Sequence, residues 1–154
     1  HDILKFDIIG RQHIYRLNFS NRIVKEMLEP VFKKERAVKE DVIAFLNDKI
    51  SEYKVRNIIS SLILYGSLQS GQARQGSDCD IAVVVKDKPL KERLEGLFID
   101  KISGEFSKYF GIHLDAYIKT KDEFIGKLKK NLPPVSALMN SYTVIYGQDP
   151  KGLK

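Results

Sequence analysis

Two aspartates spaced two apart, Asp78 and Asp80, open an apolar run, Ile81-Ala82-Val83-Val84-Val85. Acidic residues are usually kept out of strands, so a pair at this place needs a reason. Residues two apart in a strand point to one face, which would set the two carboxylates side by side. Like charges held that close repel unless something positive sits between them, and a divalent cation is the usual remedy. Asp78 after Ser77 also suits plain turn chemistry ahead of a strand, but Asp80 inside the strand does not. Just upstream, Leu64-Tyr65-Gly66-Ser67-Leu68-Gln69-Ser70-Gly71 reads as a buried strand, a Gly-Ser turn and a short helix. Backbone N–H groups at a helix start make a natural seat for phosphate. A phosphate seat beside a metal seat points to nucleotide chemistry.

The commonest phosphate loop does not fit. Gly66 and Gly71 have Walker spacing, but Gln72 and Ala73 stand where the lysine and the hydroxyl residue belong. A P-loop NTPase is therefore excluded. Ser67 is not a covalent nucleophile either, because no histidine base is placed near it in a recognisable pattern.

Gly66-Ser67, then Gly71, then Ser77-Asp78-Cys79-Asp80 and an apolar strand together resemble the signature of the nucleotidyltransferase superfamily related to DNA polymerase β. The small "minimal" prokaryotic members and kanamycin nucleotidyltransferase are the most similar in pattern. A third carboxylate on a later apolar strand belongs to that pattern, and His113-Leu114-Asp115-Ala116-Tyr117 supplies Asp115. The ending Thr143-Val144-Ile145-Tyr146-Gly147 is similar to the close of such domains. The resemblance implies that Asp78, Asp80 and Asp115 hold two Mg²⁺ ions on a bound NTP, with ATP the expected substrate. An acceptor hydroxyl would then take the NMP, and pyrophosphate would leave. Gly66, Ser67 and Ser77 would bind the nucleotide. Family members often carry an arginine in the three residues after Gly-Ser, where this chain has Leu68, Gln69 and Ser70. Arg74 is the substitute candidate, weighed against an ordinary solvated loop arginine.

Lys and Arg outnumber Asp and Glu by 26 to 20, a formal charge of +6, which favours polyanionic partners or is simply a basic surface. Hydrophobic residues make up 43%, enough for one domain's core in 154 residues. No apolar stretch approaches the roughly 20 residues of a membrane span. The single cysteine, Cys79, excludes an internal disulfide and fits a reducing interior, so the cytoplasm is the expected compartment. Lying between the two aspartates, Cys79 should face the opposite way, into the core. The chain starts on His1 rather than Met, as expected of a piece of a longer protein.

The expected fold is α+β: a nucleotidyltransferase fold with a small mixed β-sheet flanked by helices, an N-terminal β-hairpin and a helical extension. Residues 1–19 form the hairpin, 20–54 a helical linker, and 55–150 the nucleotidyltransferase domain. The hairpin turns at Gly10-Arg11. Pro30 starts or kinks a helix running to about Tyr53. Strands are expected at 58–65, 79–86, 112–119 and 143–146. Pro89 marks a turn, and a helix spans 90–110 and closes on Gly111. Further helical segments are expected around 121–130 and 135–140. His113 shares a strand face with Asp115.

The hairpin also resembles the wing of a winged-helix DNA-binding domain; a plain edge hairpin is the competing reading. The wing reading would make the chain a non-catalytic nucleotide sensor fused to a DNA-binding module lying mostly upstream. A homodimer or a helical partner protein, as for an antitoxin, completes the set of expected partners.

Overall fold

The computed structural model describes residues 2–72 and 76–153, so Arg74 lies outside the described residues. The chain divides into two compact units, residues 1–41 and 42–154.

In the first unit, β1 (Leu4–Ile9) and β2 (Gln12–Leu17) pair antiparallel, with Ile9 opposite Gln12 across the expected two-residue turn. The wider, π-type turns of 24–28 lead into α1 (Glu29–Arg36), with Pro30 in its first turn, where its missing N–H costs nothing. The single helix expected from Pro30 to Tyr53 is instead interrupted at Ala37. A second helix, α2 (Val38–Glu52), runs on into the second unit.

The second unit holds one four-stranded sheet in the order β5-β4-β3-β6, built from β3 (Ile59–Tyr65), β4 (Cys79–Val85), β5 (Leu114–Thr120) and β6 (Tyr142–Gly147). β3 pairs antiparallel with β4 and β6, while β4 pairs parallel with β5, so the sheet is mixed. The apolar runs Leu62–Tyr65 in β3 and Ile81–Val85 in β4 make sense here, because both strands are central and covered on both faces. Leu62, Ile63, Leu64 and all of Ile81 to Val85 are fully buried. The short helix α3 (Gly66–Ser70) follows β3 directly.

The run after β4 begins earlier than Pro89 suggests. Asp87 caps α4 (Lys88–Leu97), its carboxylate accepting from the Leu90 N–H at 3.1 Å, with Pro89 inside the first turn. A π-type stretch at 98–102 then joins α4 to α5 (Ser103–Phe110), which closes on Gly111. Leu94, Phe98, Ile102 and Phe106, each four residues after the last, are all fully buried. A strict 3.6-residue helix would rotate such a row away from one face, and the wider turn takes up part of that drift. After β5, Thr120 and Glu123 form a reciprocal capping box that starts α6 (Lys121–Lys129). The short α7 (Val135–Leu138) follows. Phe124, Val135 and Leu138 pack on Ile63, Ala82 and Val84, covering one face of the sheet. Among the described residues no helix is long and apolar enough to cross a membrane.

An ionic knot ties α2 to α5. The Tyr53 hydroxyl donates to Glu105 Oε1 at 2.5 Å. Lys49 Nζ forms an ion pair with Glu105 Oε2 at 2.5 Å. Lys49 first, then Tyr53, hold the Glu105 carboxyl below its usual value of 4.5. A depressed carboxyl favours the fold above its unfolded pKa, and that contribution is lost as pH falls through the folded value. We therefore expect stability to drop as pH falls from about 4.5. Glu105→Gln should be less stable at neutral pH and show a flatter decline in acid, measured by urea unfolding across that range.

Candidate active site

β3 delivers its last residue, Tyr65, to the sheet end where β4 begins, and the chain turns there through Gly66 at φ +78°. That angle is reached readily only without a Cβ. A Cβ on Gly66 would also collide with Asp80, lying 2.9 Å from its Cγ and closer still to Oδ2. The glycine is thus packed against the carboxylate itself. α3 is then fastened at two points. The Gln69 amide donates to Thr143 Oγ1 at 3.3 Å, and Ser141 Oγ donates to Gln69 Oε1 at 2.7 Å. Gln69 is one of the three residues where the sequence pattern leads one to look for an arginine; here it ties α3 to the start of β6.

Asp80 is the second residue of β4, and its register partner on the parallel strand β5 is Asp115, also second in its strand. On the other side Asp80 is opposite Tyr65, which in turn is opposite Tyr142. One row across the sheet therefore reads Asp115, Asp80, Tyr65, Tyr142. Strand neighbours lie about 4.8 Å apart, so the two carboxylates are held close by backbone pairing alone. Asp80 is half-buried and Asp115 is exposed. Burial first, then the charges of Asp115 and Asp78, push the Asp80 carboxyl above its usual range. The Tyr65 hydroxyl is pushed up by burial and then by Asp80 and Asp115.

Asp78 is not part of the strand: β4 begins at Cys79, and Asp78 sits exposed on the segment just before it. Ser77 is half-buried on that segment. Among the described residues no three His, Cys, Asp or Glu side chains stand as a ready-made ion cage. The donor chemistry nonetheless fits a hard divalent cation, since all three candidates are carboxylates and Asp80 carries the cost of its neighbours' charge. Cys79 faces away from the aspartates and is fully buried. Burial and then Asp80 push its thiol up to about 12, which suits a core residue. His113, just ahead of β5, borders a pocket of about 270 Å³ with Asp115, Phe98 and Ser103.

The structure therefore brings Gly66, Asp80 and Asp115 together, with Ser67 in the first turn of α3 and Asp78 beside Asp80. The sequence reading did not single out Tyr65 as a neighbour of Asp80. Its only local signal was its place as the last strand residue before Gly66-Ser67.

A solved structure described as "Crystal structure of the toxin-antitoxin with AMP-PNP" is 12% identical, with a TM-score of 0.42 over 71% of this chain and 76% of that one. No curated protein sequence matches the chain significantly. The family model described as "Polymerase beta, Nucleotidyltransferase" matches residues 48–133, more than half the chain and a span that includes Gly66, Asp80 and Asp115. The protein belongs to that nucleotidyltransferase family.

Proposed function

We propose that this nucleotidyltransferase moves an NMP, AMP foremost, from an NTP to a hydroxyl acceptor and releases pyrophosphate. The observation that supports it is the pairing of Asp80 with Asp115 against the Gly66 turn. Asp78, Asp80 and Asp115 are the residues that would hold Mg²⁺. Magnesium there would neutralise the triphosphate and the departing pyrophosphate. Ser67, with the backbone of the Gly66 turn, would meet the terminal phosphates, with Ser77 and Arg74 as further phosphate contacts. Asp115 is the exposed one of the two strand-paired carboxylates, so it is open to an incoming acceptor and would take the proton from its hydroxyl. The acceptor oxygen then bonds to the α-phosphorus. The bond from that phosphorus to the bridging oxygen breaks, and pyrophosphate leaves with the electron pair. In this reading residues 55–150 form the catalytic domain, 20–54 a helical linker and 1–19 an appended hairpin.

The test uses α-phosphate-labelled NTPs, Mg²⁺ and a panel of hydroxyl-bearing acceptors. The wild-type chain should transfer label, best from ATP, and Asp115→Asn should lose roughly a hundredfold or more. Equal labelling by the two proteins would sink the proposal.

A further inference from the structure

We propose that β1 pairs edge to edge, antiparallel, with β1 of a second copy of this chain, forming a two-fold dimer through a four-stranded sheet. The inference is independent of the nucleotidyl-transfer reading. Among the described residues, eleven of the fourteen exposed large apolar side chains fall in residues 1–41, and Val24 is the one residue there described as buried. A lone two-stranded hairpin is marginal in water, and a sheet of three or more strands is far more stable. All six residues of β1 are exposed, and among the described residues its sheet pairs it with β2 alone.

The backbone decides which groups that edge offers. The Asn18 N–H donates to the Ile3 carbonyl at 2.8 Å, and the pairs Lys5–Arg16 and Asp7–Ile14 continue the same bonded phase. Leu4, Phe6 and Ile8 fall in the alternate phase, so their N–H and C=O groups turn outward. These are what a further strand needs.

The side chains then select one register. With Phe6 on the two-fold axis, Leu4 meets Ile8 of the second copy through outward-facing backbone groups. Lys5 meets Asp7 of the second copy, and Asp7 meets its Lys5. These Lys–Asp pairs fall at the closer, non-bonded positions, where cross-strand side chains interact most. Sliding by two residues one way sets Lys5 against Lys5; the other way sets Asp7 against Asp7. Sliding by one residue puts the apolar set opposite the charged set. A lysine on an edge commonly guards against pairing. Here Asp7, two residues on, converts that guard into a match. The dimer also extends the aromatic face on which Phe6 and Tyr15 rings lie 6.2 Å apart.

The test is the oligomeric state of the 154-residue chain by analytical ultracentrifugation across micromolar concentrations. The wild type should approach twice the chain mass. Lys5→Asp sets like charges opposite each other while sparing the Arg16–Asp7 ion pair within the hairpin. It should weaken the dimer by about tenfold or more, as should Asp7→Lys. The double swap Lys5→Asp with Asp7→Lys restores opposite charges and should recover the dimer. In a separate test, Phe6→Cys, self-opposed at the axis, should be joined by a short bifunctional thiol reagent, and Arg11→Cys at the turn should not. Buried Cys79 does not compete. A wild type that stays monomeric, a dimer indifferent to both single swaps, or a double swap without recovery would each overturn the proposal.

Discussion

Asp80→Asn should lower nucleotidyl transfer by roughly three orders of magnitude, about 4 kcal/mol of barrier, yet make the metal-free protein more stable. The two effects share one origin. Asp80 is half-buried beside Asp115, and its carboxyl is pushed up by burial and by the charges of Asp115 and Asp78. A carboxyl whose folded pKa is raised works against the fold once ionised. That opposition disappears as pH falls below the folded value. The sign is opposite to that of Glu105, so acid removes a liability at one carboxyl and a benefit at the other. The neutral amide keeps the shape and drops the charge, so its unfolding midpoint at neutral pH should rise. Wild type should gain stability from Mg²⁺ with a non-hydrolysable nucleotide, and the variant should gain little. A variant that is inactive and also less stable without metal would mean that Asp80 serves packing rather than charge.

Gly66→Ala should destabilise the protein by about 2–4 kcal/mol and cost transfer a hundredfold or more. Two penalties combine. The first is the positive φ of +78°, roughly 1–2 kcal/mol for any residue with a Cβ. The second is collision with the Asp80 carboxylate, which cannot retreat freely because Ile81 onward is locked in the core. Gly71→Ala separates the terms: it sits at φ +72° with nothing within 4 Å of the added methyl, so it should show the conformational penalty alone. Combining Gly66→Ala with Asp80→Ala should recover part of the stability and none of the activity. If Gly66→Ala and Gly71→Ala cost the same in urea unfolding, the close approach of turn and carboxylate has no energetic weight.

The sheet was the most legible part of the chain. Apolar runs at Leu62–Tyr65 and Ile81–Val85 announce strands covered on both sides, and the hairpin shows its turn residues openly. What escaped depends on groups far apart in sequence or on one extra residue per turn. The break at Ala37 and the wide turn at 98–102 leave the apolar spacing nearly unchanged, so periodicity passes over them. Pro89 reads as a turn in sequence because the helix cap, Asp87, becomes informative only once the Leu90 N–H is seen to reach it.

For the site, the spacing from Gly66-Ser67 to Asp80 pointed to the right neighbourhood. The opposition of Asp80 to Asp115 and Tyr65 is a matter of strand register, which no local window contains. Gln69 looked like a mere departure from the family pattern. Its bonds to Thr143 and Ser141 give it a structural task instead.

The placement of Asp80 at the head of a central, buried strand has a consequence for how the molecule breathes. β4 is flanked on both edges and buried from Ile81 to Val85, so its amide protons can meet deuterium only when the whole unit opens. The five residues of α3 rest on far fewer ties and can lift locally. Labelling with heavy water should therefore reach 66–71 long before 80–85, dividing the site into a fixed anvil and a yielding jaw.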